Sequence, residues 1–125
     1  MYQVSIETHF SAAHRLRNYK GLCENLHGHN WKVEATVCSE KLDNAGMVID
    51  FNILKQKTKA IVDVLDHQYL NEIDPFHETN PSSENVAAYI FSRLSIALKD
   101  HPVKLISVSV WESDRSKATF VPSSR

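Results

Sequence analysis

The chain has 125 residues, of which 42% are hydrophobic and 23% charged, and its formal net charge at pH 7 is -1. This length suits one domain with a real core, so we predict a single domain over residues 1–125. Scattered basic residues argue against nucleic-acid binding. No apolar run approaches the roughly 20 residues of a membrane span. Without a signal-peptide pattern, we expect a cytoplasmic protein whose two cysteines, Cys23 and Cys38, are free thiols.

Alternating hydrophobicity predicts two strands at the start of the chain, over residues 2–16 and 29–39, with a polar loop over residues 18–26 between them. The second strand has the half-buried pattern of an antiparallel sheet. The residues that share its apolar face are Trp31, Val33, Ala35 and Val37.

Two helices are predicted next. The first is capped by Asp50 or Asn52, whose side-chain oxygen can accept an orphan backbone N–H, and it closes at Asp66-His67. Its apolar positions recur at helical spacing as Ile53, Leu54, Ile61, Val64 and Leu65.

The second helix has Pro81 in its first turn, Ser82 or Ser83 as its cap, and residues 100–102 as its stop. Its apolar stripe consists of Val86, Ala87, Ile90, Phe91, Leu94, Ala97 and Leu98.

Two strands complete the predicted fold, over residues 106–112 and 118–121. Ile106, Val108 and Val110 lie on one parity of the first of them. The predicted class is therefore α+β, an antiparallel four-stranded sheet with two helices packed on one face in the order ββααββ.

The pair His27-Gly28-His29 is the strongest chemical signal. Residues two apart on a strand point to the same face, so both imidazoles can reach one metal ion, and Gly28 leaves the opposite face uncrowded. His14 ends the preceding strand and lies close to the pair if the two strands are antiparallel. Three imidazoles with one open position are typical of a catalytic zinc site. We interpret His9, His77 and His101 as ordinary structural histidines.

Cys23 lies in the polar loop, where a nearby cation would favour its thiolate and make it a usable base or nucleophile. The alternative is an ordinary loop cysteine. Asp66 next to His67 can orient the imidazole for proton relay, and the alternative is a histidine placed by the helix dipole.

Glu112 continues the parity of the apolar residues before it, and a carboxylate on that face needs partners. One interpretation is a carboxylate that accepts two parallel N–H bonds from a flat heterocycle. The other is that the strand ends at Trp111 and leaves Glu112 in solvent.

An ordered set of motifs spans nearly the whole chain and resembles the 6-pyruvoyl-tetrahydropterin synthase superfamily. In chain order they are Phe10-Ser-Ala-Ala-His14-Arg-Leu16, Cys23-x-x-x-His27-Gly-His29, Gly46-Met-Val-Ile-Asp50-Phe51, Leu65-Asp-His67, Asn80-Pro-Ser-Ser-Glu84-Asn85 and Glu112. The three residues between Cys23 and His27 are similar to the 6-carboxy-5,6,7,8-tetrahydropterin synthase branch of queuosine biosynthesis. Two departures from the family pattern fall at Ser82-Ser83 and at Ser113 to Lys117.

This resemblance implies a tunnelling fold, zinc, 7,8-dihydroneopterin triphosphate as substrate, and a hexamer of two trimers with active sites at subunit boundaries. By the same resemblance, zinc is held by His14, His27 and His29. Cys23 is the proton acceptor, Asp66-His67 is the pair that activates the thiol, and Glu112 grips the pterin edge.

The resemblance implies loss of triphosphate and acetaldehyde to leave 6-carboxy-5,6,7,8-tetrahydropterin. The same residues also suit a 6-pyruvoyl-tetrahydropterin synthase, which eliminates triphosphate without side-chain cleavage. A non-catalytic zinc-stabilised module is a different class, with Cys23 as a fourth ligand that closes the site. A zinc hydrolase is the third possibility, although it would need neither the thiol nor Glu112.

Overall fold

The computed structural model describes residues 1–18 and 25–123, and it contains five strands and two α-helices within them. The strands are β1, Tyr2–His14; β2, His27–Ser39; β3, Gln68–Tyr69; β4, Lys104–Ser113; and β5, Ser116–Phe120. The helices are α1, Phe51–Val62, and α2, Ser83–Ala97, with a short 3-10 helix at Leu70–Glu72. No helix in the described ranges is both long enough and apolar enough to cross a membrane.

The strands form one mixed sheet in the order β3-β1-β2-β4-β5. The pairs β1–β2, β2–β4 and β4–β5 are antiparallel, whereas β3 runs parallel to β1. The α+β class is confirmed, but the predicted four-stranded, purely antiparallel sheet is wrong. A strand of two residues is too short to show an alternating pattern, so sequence periodicity cannot detect β3.

Both helices contribute to one hydrophobic cluster on a single face of the sheet. The predicted apolar face of β2 is fully buried in it, with Trp31, Val33, Ala35 and Val37 each 0% exposed. Leu54 and Val62 of α1 and Val86, Ile90 and Leu94 of α2 complete its centre. The core therefore lies between the helices and the face of the sheet that also carries the three clustered histidines.

The first helix is shorter than predicted, because it ends at Val62 and Asp66-His67 lies beyond it. Val64, expected in the buried stripe, is 55% exposed. The chain leaves the helix to pair with β1: the carboxylate of Asp66 accepts the Ser11 N–H at 2.9 Å, and the His67 N–H donates to the Ser11 carbonyl. These contacts with β1 replace continued helical bonding, which the local spacing does not reveal.

Both helix caps match the sequence. Asp50 accepts the Asn52 N–H at 2.8 Å, and Ser82 accepts the Asn85 N–H at 3.1 Å. Pro81 precedes this second cap rather than occupying the first turn of α2.

The apolar parity of β4 is interrupted near its start. The register with β2 shifts between Thr36 and Val37, so that Leu105 pairs with Val37 while Ser107 pairs with Thr36. Ile106 is the extra residue of this bulge and is only half-buried, whereas Leu105 is 7% exposed. The prediction that Ile106, Val108 and Val110 share the core-facing side is therefore correct for Val108 and Val110. At the start of the strand, Leu105 and not Ile106 is buried.

Candidate metal centre and active site

The candidate metal centre lies where β1 ends and β2 begins. His14 is the cross-strand partner of His27, and His29 is the partner of Ala12, so all three imidazoles lie on the core-facing side of the sheet. One ligand atom from each histidine lies within 4.8 Å of those of the other two. The antiparallel register thus gathers a potential metal site from the three residues predicted for it.

Two of the rings are oriented by backbone carbonyls. The Nδ1 of His14 lies 2.7 Å from the Pro81 oxygen, and the Nδ1 of His27 lies 2.9 Å from the Asn25 oxygen. A carbonyl only accepts, so each Nδ1 carries the hydrogen and each Nε2 keeps its lone pair for a metal.

The buried Nε2 of His14 has no hydrogen-bond partner among the residues described. A buried nitrogen of this kind is costly unless an ion satisfies it. This donor set fits a metal ion with nitrogen ligands.

Trp31 forms the floor of the site. Its indole N–H donates to the Ala12 carbonyl at 3.1 Å, and its ring is stacked on Phe10 with centroids 5.6 Å apart. The His14 and His29 rings stand edge-on to it at 4.9 and 5.5 Å. This buried, hydrogen-bonded ring limits the rotation of both imidazoles, a role that the sequence pattern did not reveal.

Two asparagines fix the chain that follows His14. Asn71 accepts from the Arg15 N–H at 3.0 Å and donates to the Arg15 carbonyl at 2.9 Å. Asn80 makes the same pair of bonds with Arg17, both at 2.8 Å. Their side-chain amides replace a neighbouring strand, and Asn80 thereby ties the segment that carries Pro81 to the end of β1. Asn80 begins one of the motifs quoted above, whereas nothing in the sequence pattern singled out Asn71.

Glu112 lies beside the histidine cluster. Strand β4 continues to Ser113, so the interpretation that the strand ends before Glu112 is wrong. The carboxylate accepts a hydrogen bond from the Ser83 hydroxyl at 2.8 Å. Its two oxygens lie 3.8 Å from His14 Nε2 and 3.7 Å from His29 Nε2. Glu112 therefore lies on the predicted face of β4, where its negative charge is next to the candidate metal ligands.

Asp66 and His67 are in contact at the β1 side of the sheet, with Oδ2 and Nδ1 3.0 Å apart. The hydrogen bond from the Ser11 N–H, assisted by His67, lowers the pKa of Asp66 below its ordinary value. His67 has a φ of 59° and is 82% exposed. One cavity of about 570 Å³ is lined by both His67 and His29. The predicted dyad therefore borders the same surface depression as His29 of the candidate metal site.

The other predicted residues fall into two groups. Cys23 lies outside the described residues. His77 pairs with Asp74 at 2.7 Å, His9 is exposed on the opposite face of β1, and Cys38 is buried in β2 as a free thiol. Gly28 leaves the face opposite the histidines uncrowded, and even an added Cβ there would make only an ordinary contact, 3.7 Å from the Ala12 oxygen.

The fold and the site together define an α+β protein with a candidate three-histidine metal site and an adjacent carboxylate. The sequence model of the family described as 6-pyruvoyl tetrahydropterin synthase matches residues 3–123. The chain belongs to the 6-pyruvoyl tetrahydropterin synthase family.

Curated relatives carry two names within this family. The chain is 39% identical to the 6-carboxy-5,6,7,8-tetrahydropterin synthase of Synechocystis sp., covering 96% of this chain and 93% of the relative. It is 33% identical to a putative 6-pyruvoyl tetrahydrobiopterin synthase of Caenorhabditis elegans, over 89% and 88% of the two chains.

Solved structures give the same fold. The 6-pyruvoyl tetrahydropterin synthase of Caenorhabditis elegans superposes with a TM-score of 0.82 at 32% identity, covering 98% of both chains. The enzyme of that name from Plasmodium vivax gives 0.79 at 26% identity, covering 95% of this chain and 96% of the other.

Proposed function

We propose that this protein converts 7,8-dihydroneopterin triphosphate to 6-carboxy-5,6,7,8-tetrahydropterin with loss of triphosphate and acetaldehyde, a step toward 7-deazapurines such as queuosine. The observation that carries the proposal is the position of Glu112, whose oxygens lie within 3.8 Å of two clustered imidazole nitrogens. Candidate metal ligands and a carboxylate that could accept a pterin edge therefore lie next to each other, which supports the proposal. The several relatives named for this activity, at 30 to 39% identity, support the proposal. In it, residues 1–125 act as one pterin-synthase domain.

In this proposal His14, His27 and His29 hold Zn²⁺ and leave a coordination position for substrate. When bound, zinc acts as a Lewis acid that makes the side-chain hydroxyls of the substrate more acidic. The carbonyls of Pro81 and Asn25 keep Nδ1–H on His14 and His27, so the metal-facing nitrogens stay unprotonated.

Glu112 has the role of anchoring the substrate ring. Its carboxylate can accept the 2-amino and ring N–H groups of a pterin as two parallel hydrogen bonds. A cavity of about 260 Å³ adjoins it, lined by Ser83, Glu84, Glu112 and Lys117 among others. A ring held there is fixed relative to the histidine cluster, which places its side chain for reaction.

Proton transfer is assigned to Cys23 with Asp66 and His67. The Asp66 carboxylate, whose pKa is lowered chiefly by the hydrogen bond from the Ser11 N–H, lies 3.0 Å from the His67 Nδ1 and orients that imidazole. A cationic imidazole next to Cys23 would favour the thiolate. That thiolate then moves the proton at the carbon next to the reacting hydroxyl.

The assembly proposed from the family resemblance is a cytoplasmic homohexamer of two trimers with active sites at subunit boundaries. In its support, His67 is 82% exposed on its own chain and is available to a neighbouring subunit's site. Light scattering coupled to gel filtration tests the mass, and a monomer with full activity would contradict this assembly.

A second candidate is 6-pyruvoyl-tetrahydropterin formation, in which triphosphate leaves but the side-chain carbons stay. It is favoured by the TM-score of 0.82 with the Caenorhabditis elegans enzyme of that name. Incubation of the purified protein with 7,8-dihydroneopterin triphosphate, with product mass, acetaldehyde and bound zinc measured together, separates the two. Acetaldehyde with the carboxy product supports the first, and its absence with a pyruvoyl product supports the second.

The role of Cys23 has a direct test. We expect Cys23→Ala to abolish turnover while bound zinc stays at the wild-type level, whereas Cys38→Ala, at the buried cysteine of β2, keeps activity. A non-catalytic zinc module predicts instead a closed four-ligand site, loss of zinc in Cys23→Ala and unfolding on metal removal.

A further inference from the structure

The distances from the Glu112 carboxylate to the histidine nitrogens are close to the distance that separates two ligands of the same metal ion. Ligand atoms about 2.0–2.1 Å from a tetrahedral zinc are roughly 3.4 Å from one another. The Glu112 oxygens are 3.8 Å from His14 Nε2 and 3.7 Å from His29 Nε2. A small rotation of this side chain would therefore allow it to coordinate an ion held by the histidines.

One hydrogen bond opposes that rotation. The hydroxyl of Ser83, the first residue of α2, donates to Glu112 Oε1 at 2.8 Å. The segment before it is fixed as well, since the Pro81 carbonyl accepts the His14 Nδ1–H and Asn80 is bonded to Arg17. Ser83 thus holds the carboxylate from a backbone that is itself tied to the first histidine.

We propose that Ser83 is a positioning residue that keeps Glu112 off the metal, so that the site stays open and the carboxylate remains available to the substrate ring. This inference rests on the proposed function, because it assumes that the histidines bind zinc. It predicts different effects on zinc affinity for substitutions at two adjacent serines. Among the described residues, the Ser82 hydroxyl accepts the Asn85 N–H and so caps α2, whereas the Ser83 hydroxyl donates to Glu112.

The test compares Ser83→Ala with Ser82→Ala and the wild type in zinc affinity, measured by chelator competition. Without its tether Glu112 becomes a fourth ligand, so we expect Ser83→Ala to bind zinc about tenfold more tightly. A merely structural role predicts the opposite sign, since loss of an outer-shell partner ordinarily weakens metal binding about 10–100-fold. Ser82→Ala should leave zinc affinity unchanged.

A second readout reports the open position directly. Azide should bind to the cobalt-substituted wild type and to Ser82→Ala, and change their visible absorption, but not to Ser83→Ala. Ser83→Thr, which keeps the hydroxyl, should restore both azide binding and the wild-type zinc affinity. If Ser83→Ala does not fold, Ser83→Gly removes the same hydroxyl.

A double-mutant cycle separates ligation from the general effect of the Glu112 charge. In a Glu112→Gln background, Ser83→Ala should no longer tighten zinc binding, and azide should bind again. Equal or weaker zinc affinity in Ser83→Ala with azide binding intact would overturn the inference and leave the proposed function standing. A wild type that binds neither zinc nor cobalt would overturn both.

Discussion

The imidazole of His14 donates its Nδ1 hydrogen to the carbonyl oxygen of Pro81, 2.7 Å away and 67 residues later in the chain. This bond joins the end of β1 to the residue before the α2 cap. It fixes the tautomer of the most buried member of the histidine cluster, which is 1% exposed. The candidate metal site therefore depends on contacts between elements far apart in sequence, and its members can be tested one at a time.

We expect His14→Ala to weaken zinc binding by more than about 100-fold, since even loss of an outer-shell partner typically costs 10–100-fold. The matched control is His9→Ala, on the same strand but exposed on the opposite face. Titration calorimetry with zinc measures both variants. Equal affinities for the two would mean that His14 is not a ligand.

Trp31→Phe should destabilise the fold by at least about 2 kcal/mol, because it removes the hydrogen bond to the buried Ala12 carbonyl and leaves unfilled space. Trp111→Phe is the control, since Trp111 is half-buried and contacts Lys32 at 4.2 Å and Lys117 at 5.0 Å. Its loss should cost less than about 1 kcal/mol. Urea denaturation of both variants decides, and the ranking would be refuted if Trp111→Phe proved the more damaging.

The pH dependence of stability should carry a contribution from Asp66. Folding lowers its pKa, chiefly through the hydrogen bond from the Ser11 N–H, so the ionised carboxylate stabilises the native state. That contribution is fully present above the unfolded pKa of about 3.9 and is lost as the pH falls through the lower folded pKa.

Asp66→Asn keeps an acceptor for Ser11 but does not titrate. Its stability deficit relative to wild type should therefore be present at pH 7 and shrink as the pH falls below about 4. Asp63→Asn is the control, because among the described residues the Asp63 side chain forms an exposed pair with Lys59 at 2.9 Å. Denaturant titrations from pH 7 to pH 2 measure the difference, and a deficit that grew on acidification would contradict the assignment.

The glycines at 28 and 46 should respond oppositely to alanine. Within the described part of the chain, a Cβ at Gly28 meets the Ala12 oxygen alone, at 3.7 Å. Gly28→Ala should therefore leave zinc affinity unchanged and keep or raise stability by up to about 1 kcal/mol. Gly46 has a φ of 79°. Gly46→Ala should therefore cost about 1–2 kcal/mol, even though a Cβ has open space there. Thermal unfolding measures the stability of both variants. A larger loss of stability in Gly28→Ala than in Gly46→Ala would contradict this prediction.

The sequence predicted the clustering of His14, His27 and His29, because strand parity and antiparallel pairing alone determine which face the three residues share. It also placed Glu112 on the correct face. The end of α1 and the strand β3 were missed because both depend on pairing with β1, and the helical spacing through Leu65 continues past the point where the chain turns.

Contacts made by side chains from distant segments were equally out of reach. Ser83, Trp31 and Asn71 act on the site through partners 19 to 56 residues away. Periodicity and motif spacing report local geometry, so such partners appear only once the chain is folded. The role of Cys23 and the single-domain organisation stay predictions.

Because Ile106 is the extra residue of the bulge, the alternation of buried and exposed residues in β4 shifts by one position at this point. Before the bulge, Leu105 packs into one end of the core. After it, Val108, Val110 and Glu112 lie on the same face of the sheet as the buried residues of β2 and the clustered histidines. Without Ile106 the strand would keep one alternation throughout. Either Leu105 or Glu112 would then point to the face of the sheet opposite the core. The bulge near the start of this ten-residue strand thus allows Leu105 to be buried in the core and Glu112 to lie beside the histidines.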